Sequence, residues 1–198
     1  NFGHVNDFRT VLDAALALKH REDIVFLFIG EGGKESELRE FAASNALLNI
    51  RFMCYQAREI TRLSLTAGDA ILVTLSKGLA GLSVPSKTYP GMAAGRPLLF
   101  VGDLDSTAAR IADAGCGATV ASGDVDGFVR IVSEWTADKS KAEALGRRAR
   151  SVFETRFDRT CAVDSYVSVF EKCMASHRQK GSLDSQSSTE FTKPEQAG

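Results

Sequence analysis

The run Ile24-Val-Phe-Leu-Phe-Ile29 passes directly into Gly30-Glu-Gly-Gly33 and then into a helix-patterned segment, Lys34–Ser44. Six consecutive apolar residues are what a strand covered on both faces requires, because no position along it looks out to water. The glycines that follow mark the turn into a helix. Strand, glycine turn and helix make the unit from which parallel sheets are built, and this unit sets the reading of the remaining residues.

The same alternation recurs in both directions. Upstream, Asp7–Lys19 places Phe8, Val11, Leu12, Ala15, Leu16 and Leu18 at helical spacing. Downstream, a short strand over Asn49–Met53 leads through Cys54–Ala57 into a helix over Arg58–Thr66. A strand over Ala70–Thr74 comes next, then a long glycine-bearing loop, Leu75–Val84, and a helix over Tyr89–Ala94 ended by Gly95. Pro97–Val101 reads as a strand with proline at its tolerated first position. A helix over Asp105–Ala114, stopped by Gly115, precedes a last short strand, Gly117–Ala121. Only helices follow: Val125–Trp135, Ser140–Thr155 and Cys161–Met174. The pattern predicts the α/β class, a Rossmann-like doubly wound parallel sheet with helices on both faces and a helical C-terminal end. Such sheets bind ligands at the carboxyl ends of their strands, so Asn1–His4, Gly30–Gly33, Cys54–Ala57 and Leu75–Lys87 are expected on one rim.

A doubly wound sheet ordinarily opens on a strand, whereas Asn1-Phe2-Gly3 leads straight into a helix. The expectation is that a first strand lies upstream, central in the order 3-2-1-4-5-6, and that its loss leaves the strands on either side unpaired. Residues 1–176 are expected to form one Rossmann-like domain. Residues 177–198, rich in Ser, Gln, Thr and Glu with little to bury, are expected to be a disordered tail.

Composition narrows the function classes. A net charge of −1 supplies no global attraction to nucleic acid, so no nucleic-acid partner is expected. The basic cluster from Lys139 to Arg159 is interleaved with Glu143, Glu154 and Asp158 and reads as a solvated helix face, or else as a surface that leans on anionic lipid. The four cysteines, Cys54, Cys116, Cys161 and Cys173, form no CxxC pair; their spacing builds neither a zinc site nor a disulfide framework and suggests a reducing cytoplasm. No metal ligand set is expected. No apolar run approaches the roughly 20 residues of a membrane span.

Three segments carry candidate chemistry. Gly30-Glu31-Gly32-Gly33 lacks the third glycine of a dinucleotide fingerprint, since Glu35 stands there, and Lys34 is not followed by Ser or Thr as a P-loop demands. It is either a plain glycine turn or a place where a ligand approaches the backbone. Asn1-Phe2-Gly3-His4 is expected at a helix N-terminus, where free amides and the helix dipole suit a diphosphate, although Asn and Gly are also ordinary capping residues. His4 faces an anion or solvent. The most informative stretch runs from Gly78 to Pro97: a glycine-bearing loop, Pro85-Ser86-Lys87, a short helix, then Ala-Ala-Gly-Arg-Pro and a strand. Lys87 there suits neutralisation of a phosphate as a point charge, and Ser86 either caps the helix or holds a ligand hydroxyl.

The segment Gly81–Gly102, GLSVPSKTYPGMAAGRPLLFVG, resembles the donor-site segment of family-4 retaining glycosyltransferases with the GT-B fold, closest to the bacterial polysaccharide and O-antigen branch with a PSK-type motif. Other pieces agree in order. Asn1-Phe2-Gly3-His4 is similar to the end of that family's first glycine-rich loop, Ile29–Gly32 to its G-[DE]-G turn, and Arg51–Gln56 to its F-x-G-y-q segment. Phe100–Gly102 and Asp124–Phe128 match its later strand and helix start. The similarity covers about residues 1–172.

The resemblance implies the C-terminal, nucleotide-sugar-binding domain of such an enzyme, with a UDP-sugar as donor and a lipid-linked or polysaccharide acceptor held by an N-terminal domain outside this chain. It implies that Asn1, Gly3 and His4 lie toward the diphosphate and Tyr55 and Gln56 near the base, with Gly30 among the substrate-binding residues of the same rim. Ser83, Val84, Pro85, Ser86, Lys87 and Thr88 would lie about the phosphates, ribose or sugar. It implies no cofactor and no metal, a cytoplasmic enzyme peripheral to the inner face of the membrane, and a fragment inactive alone. The catalytic residues are not assigned. Many members carry two glutamates eight positions apart; here Leu82 and Pro90 stand at those places, and no Glu occurs between Glu59 and Glu134. Pro90 also requires the helix to start near Tyr89 or to kink there. Two rivals stand beside the transferase: a non-catalytic nucleotide-binding or regulatory α/β module, and a nucleotide-sugar epimerase of the same fold.

Overall fold

The computed structural model describes residues 2–57 and 59–187, with side chains through residue 176. The chain alternates as its periodicity demands: α1 (Phe8–Ala17), β1 (Phe26–Ile29), α2 (Glu35–Ser44), β2 (Ile50–Met53), α3 (Thr61–Ala67) and β3 (Ile71–Thr74) come first. Then follow α4 (Thr88–Ala93), β4 (Leu98–Val101), α5 (Thr107–Ile111), β5 (Gly117–Val120), α6 (Val125–Ala137), α7 (Lys139–Arg156) and α8 (Arg159–Ser187). Of the helix expected from Arg58, that first residue lies outside the described residues.

Every ladder is parallel, β1 with β2 and β4 between β3 and β5. Helices cover both faces of the second sheet. Leu99, Val101 and Val120 share a core with α1 and α6, while on the opposite face a Cβ at Gly91 of α4 would lie 2.9 Å from Leu98 and 3.1 Å from Ile71. The doubly wound reading holds, but the strands form two sheets, not one: β1-β2 and β3-β4-β5.

That split corrects one expectation. The Ile24–Ile29 run is buried on one face only: Phe26 and Phe28 are covered, whereas Val25 is 55% and Leu27 41% exposed. A strand bonded on a single edge lacks the neighbouring side chains that would close its second face.

α1 joins the two sheets. Its Asp7 cap accepts from the Thr10 amide at 3.1 Å and from the Thr10 hydroxyl at 2.9 Å, anchoring the first turn. Behind it Phe8, Val11, Leu12, Ala14 and Ala15 are buried, and a side chain such as Leu12 contributes about 1.5–3 kcal/mol of gross burial energy. Thr10 also accepts a 2.8 Å hydrogen bond from the Gly123 amide, tying α1 to the loop before α6.

α4 begins at Thr88, so Pro90 falls in the first turn, where a missing N–H breaks no intrahelical bond. Gly95, at φ 68°, ends it. Immediately beyond, α7 crosses so closely that a Cβ at Gly146 would overlap the Gly95 carbonyl. The Arg150 guanidinium donates to the Ala93 carbonyl at the same place. α5 is shorter than its pattern suggested: a wide π-type turn over Ala112–Cys116 replaces its end, with Gly115 at φ 90°.

The basic cluster on α7 is a solvated face. Lys141 pairs with Glu134 at 2.8 Å, Arg147 with Glu143 at 3.7 Å and Arg150 with Glu154 at 2.7 Å, all half or more exposed.

The chain divides into two compact units, one ending at Glu154 and one beginning at Thr155. In the second, α8 runs helically through Ser187, past the boundary expected for a tail at 177. Propagation adds one hydrogen bond per residue to a helix already nucleated, and so extends into sequence that would not start one. The remainder of the expected tail, 188–198, lies outside the described residues.

Candidate functional site

The loops after the strands meet at one rim, and residues 2–6 bridge it. The Phe2 amide donates to Glu31 at 3.0 Å and the Lys34 amide to Phe2 at 3.0 Å, just past the end of β1. The Ser76 amide donates to Val5 at 2.8 Å, and the Thr74 hydroxyl to Asn6 Oδ1 at 3.1 Å, at the end of β3. Parallel strands put all these carboxyl ends on the same side.

The glycine turn owes its composition to this bridge. Gly32 has φ 158°, and a Cβ there would lie 2.6–2.7 Å from the Phe2 backbone. A Cβ at Gly33 would lie 3.1 Å from His4 Nε2. Of the two readings open for Gly30–Gly33, the backbone it admits closely is therefore that of the Phe2–His4 loop.

That loop is not itself a helix N-terminus, which corrects the expectation for Asn1–His4. α1 starts four residues after His4, and its first turn is occupied by the Asp7 carboxylate. A second anion there would meet that negative charge. Among the described residues nothing pairs with the amides of Gly3, His4 and Val5, so the loop keeps donors of its own. Asn1 lies outside the described residues.

Two cavities gather the remaining candidates. A small one of about 190 Å³ is lined by Gly3, Val5 and Asn6, by the end of β3 and by Ser83, Val84, Pro85, Ser86 and Lys87. A larger one, about 1000 Å³, opens beside it and includes Gly30, Tyr55, Gln56 and again Lys87. Lys87 is common to both. Its side chain reaches solvent, yet desolvation by the surrounding protein lowers its pKa from the ordinary lysine value, and no carboxylate among the described residues forms an ion pair with it. A desolvated cation without a counter-ion is what an incoming phosphate would compensate. Lys87 also stands at the start of α4 with no side-chain cap, and Ser86 is exposed beside it.

One candidate falls outside this cluster. Thr88 is 0% exposed and lines neither cavity, so it belongs to the packing beneath α4 and not to the rim. Its hydroxyl is buried without a hydrogen-bond partner among the described residues. Tyr55 is 73% exposed, and Gln56 folds back to donate to the Cys54 carbonyl at 2.9 Å. Val5, Asn6 and Thr74 were not singled out in the sequence. The signal for Thr74 was a polar residue closing an apolar strand. No cluster of three or more potential metal ligands occurs among the described residues, and no helix among them is long and apolar enough to cross a membrane.

No family model matches the chain. It is 28% identical over 168 residues to a probable glycosyltransferase, WbjE, of Pseudomonas aeruginosa, a match covering 84% of this chain and 41% of that protein. Among solved structures it is similar to a glycosyltransferase from Rickettsia africae, at TM-score 0.71 and 14% identity over 85% of this chain and 45% of the other. It is also similar to Anabaena HepE, crystallised with UDP-glucose, at TM-score 0.67 and 16% identity over 83% and 44%. The chain thus spans less than half the length of the proteins it matches. These likenesses bear out the resemblance: the curated relatives are described as probable or putative glycosyltransferases, and the fold is that of a GT-B Rossmann-like half.

Proposed function

We propose that this chain is the donor-binding half of a retaining glycosyltransferase that moves a sugar from UDP to a lipid-linked or polysaccharide acceptor. The observation that carries the reading is the convergence of the Gly3 loop and the Ser83–Lys87 segment on one cavity, with an uncompensated, desolvated Lys87 in its wall. The similar proteins support it: WbjE is a probable glycosyltransferase, and HepE was crystallised with UDP-glucose.

In this reading Lys87 and the free amides of Gly3, His4 and Val5 meet the diphosphate. Negative charge grows there as the bond to the sugar breaks, so donors fixed beforehand stabilise the transition state more than the bound substrate. Gly30, Tyr55 and Gln56, on the larger cavity, face the remainder of the nucleotide. The acceptor and its catalytic groups belong to a second domain, so this chain alone binds the donor without turning it over. The spacing of the four cysteines, with no CxxC pair, favours a reducing cytoplasm.

The test uses the complete enzyme. Lys87→Ala should weaken UDP affinity in calorimetry by on the order of 10-fold or more, the worth of a charge-assisted hydrogen bond, and EDTA should leave that affinity unchanged. Undiminished UDP binding by the variant would remove Lys87 from the site. UDP-sugar consumption that depends on added glycan separates a transferase from an epimerase or a binding module, and an NMR coupling constant of the product reports whether the anomeric configuration is kept.

A further inference from the structure

Residues 2–5 present their peptide groups to the rim in a fixed sense. The Phe2 carbonyl accepts from the Lys34 amide at 3.0 Å. The Gly3 carbonyl accepts twice from Asn6, from its amide at 3.3 Å and from its side-chain Nδ2 at 3.2 Å. The His4 carbonyl accepts from the Ser76 hydroxyl at 3.4 Å. In a planar trans peptide each carbonyl points opposite to the N–H of the residue that follows. Holding these three oxygens therefore turns the amides of Gly3, His4 and Val5 the other way, and these are the amides without a partner among the described residues.

Asn6 is the side chain on which this arrangement depends. While its Nδ2 holds Gly3, its Oδ1 accepts from the Thr74 hydroxyl at 3.1 Å, across 68 positions of sequence. A carbonyl can only accept, so the Gly3 oxygen fixes the sense of the Asn6 amide and makes Thr74 the donor on its other side. Thr74 closes β3, is buried, and is paired in register with Val101 of β4, so the far end of the link is the sheet itself. An amide suits the place because it offers a donor and an acceptor on one rigid plane. A carboxylate would lack the donor and bring negative charge to the wall of the small cavity, which Asn6 lines.

We infer that Asn6, braced by Thr74, is the positioning residue that aims the amides of Gly3, His4 and Val5 at the phosphates of the nucleotide. The inference rests on the donor-site reading and deepens it: the amides meet the anion, and Asn6 acts on it through them. Without the Asn6 side chain the Gly3 carbonyl keeps only the 3.3 Å bond from the Asn6 backbone amide. The loop then has to be ordered as the ligand binds, and donors that must be ordered hold an anion less well than donors fixed beforehand.

The test uses the complete enzyme with Asn6→Ala, with Thr74→Val, with both together, and with Thr74→Ser as the conservative replacement. In backbone nitrogen relaxation without ligand, the His4 and Val5 amides should drop from order parameters of about 0.85 to below about 0.6 in Asn6→Ala and in Thr74→Val. UDP affinity in calorimetry should fall about 5-fold in each. The combined variant should lose no more than Asn6→Ala alone, because Thr74 acts through Asn6. Thr74→Ser should bind UDP as the parent does, and uridine, which carries no phosphate, should bind every variant equally. Additive losses, or an equal loss for uridine, would make these residues ligand contacts or general supports of the rim and overturn the positioning role. Unchanged order at His4 and Val5 in both single variants overturns it whatever the nucleotide does. That readout needs no ligand, so its failure is distinct from failure of the donor site, which Lys87→Ala reports.

Discussion

β1 and β4 are both short, wholly apolar strands, and they have opposite fates. Leu98, Leu99, Phe100 and Val101 are all buried, with a parallel neighbour on each side and helices on each face. Phe26-Leu-Phe-Ile29 has one neighbour, and its alternate residues show solvent exposure. Composition sets the capacity for burial; the number of neighbours decides how much is realised. The same apolar signal therefore does not carry the same energy in the two halves of the molecule.

The comparison breaks most sharply on truncation. Phe100→Ala, at a residue 0% exposed, should cost about 3–5 kcal/mol in urea unfolding, as large aromatic truncations in packed cores do. Asp7→Ala should cost about 1 kcal/mol, and because α1 packs against both sheets the loss should appear in a single transition. Two separated transitions in that variant would show that the sheets melt independently. Leu27→Ala, at a residue 41% exposed, should cost less than about 1 kcal/mol. A loss matching that of Phe100→Ala would mean that β1 is covered in solution.

A last prediction concerns charge. Desolvation holds the Lys87 pKa below its unfolded value, so in the window between the two the folded state binds fewer protons than the unfolded one. Stability should then rise as pH increases through that window, below the ordinary lysine pKa, and saturating UDP should reduce the slope by favouring the charged form. A Lys87→Met variant should lose the slope, as followed by thermal melting against pH.

Much of this was legible in the sequence, and for a physical reason. Helix and strand periods, the Gly95 stop and the tolerated place of Pro90 are local properties, and the elements before α8 lie within a few residues of their expected bounds. The rim followed from the rule that ligands sit at the carboxyl ends of parallel strands. What escaped depends on partners distant in sequence. Nothing near Gly32 announces that Phe2 will press against it, and nothing near Thr88 announces that it turns inward while Lys87 turns out. The exposure of Leu27 depends on a vacant edge that an apolar run cannot report. The helix through Ser187 draws on turns that precede it, and so does not show in the polar residues it incorporates.

The contact between Gly95 and Gly146 has a mechanical consequence. With no side chain on either partner, α7 rests backbone to backbone on the turn that closes α4, leaving no compressible layer between them. The opposite end of α4, at Lys87, has neither a side-chain cap nor an ion-pair partner among the described residues. α4 is thus clamped at the end where it meets β4. Thr88 of its first turn is buried as well, so adjustment to a ligand falls to the exposed Ser86 and Lys87 just ahead of it.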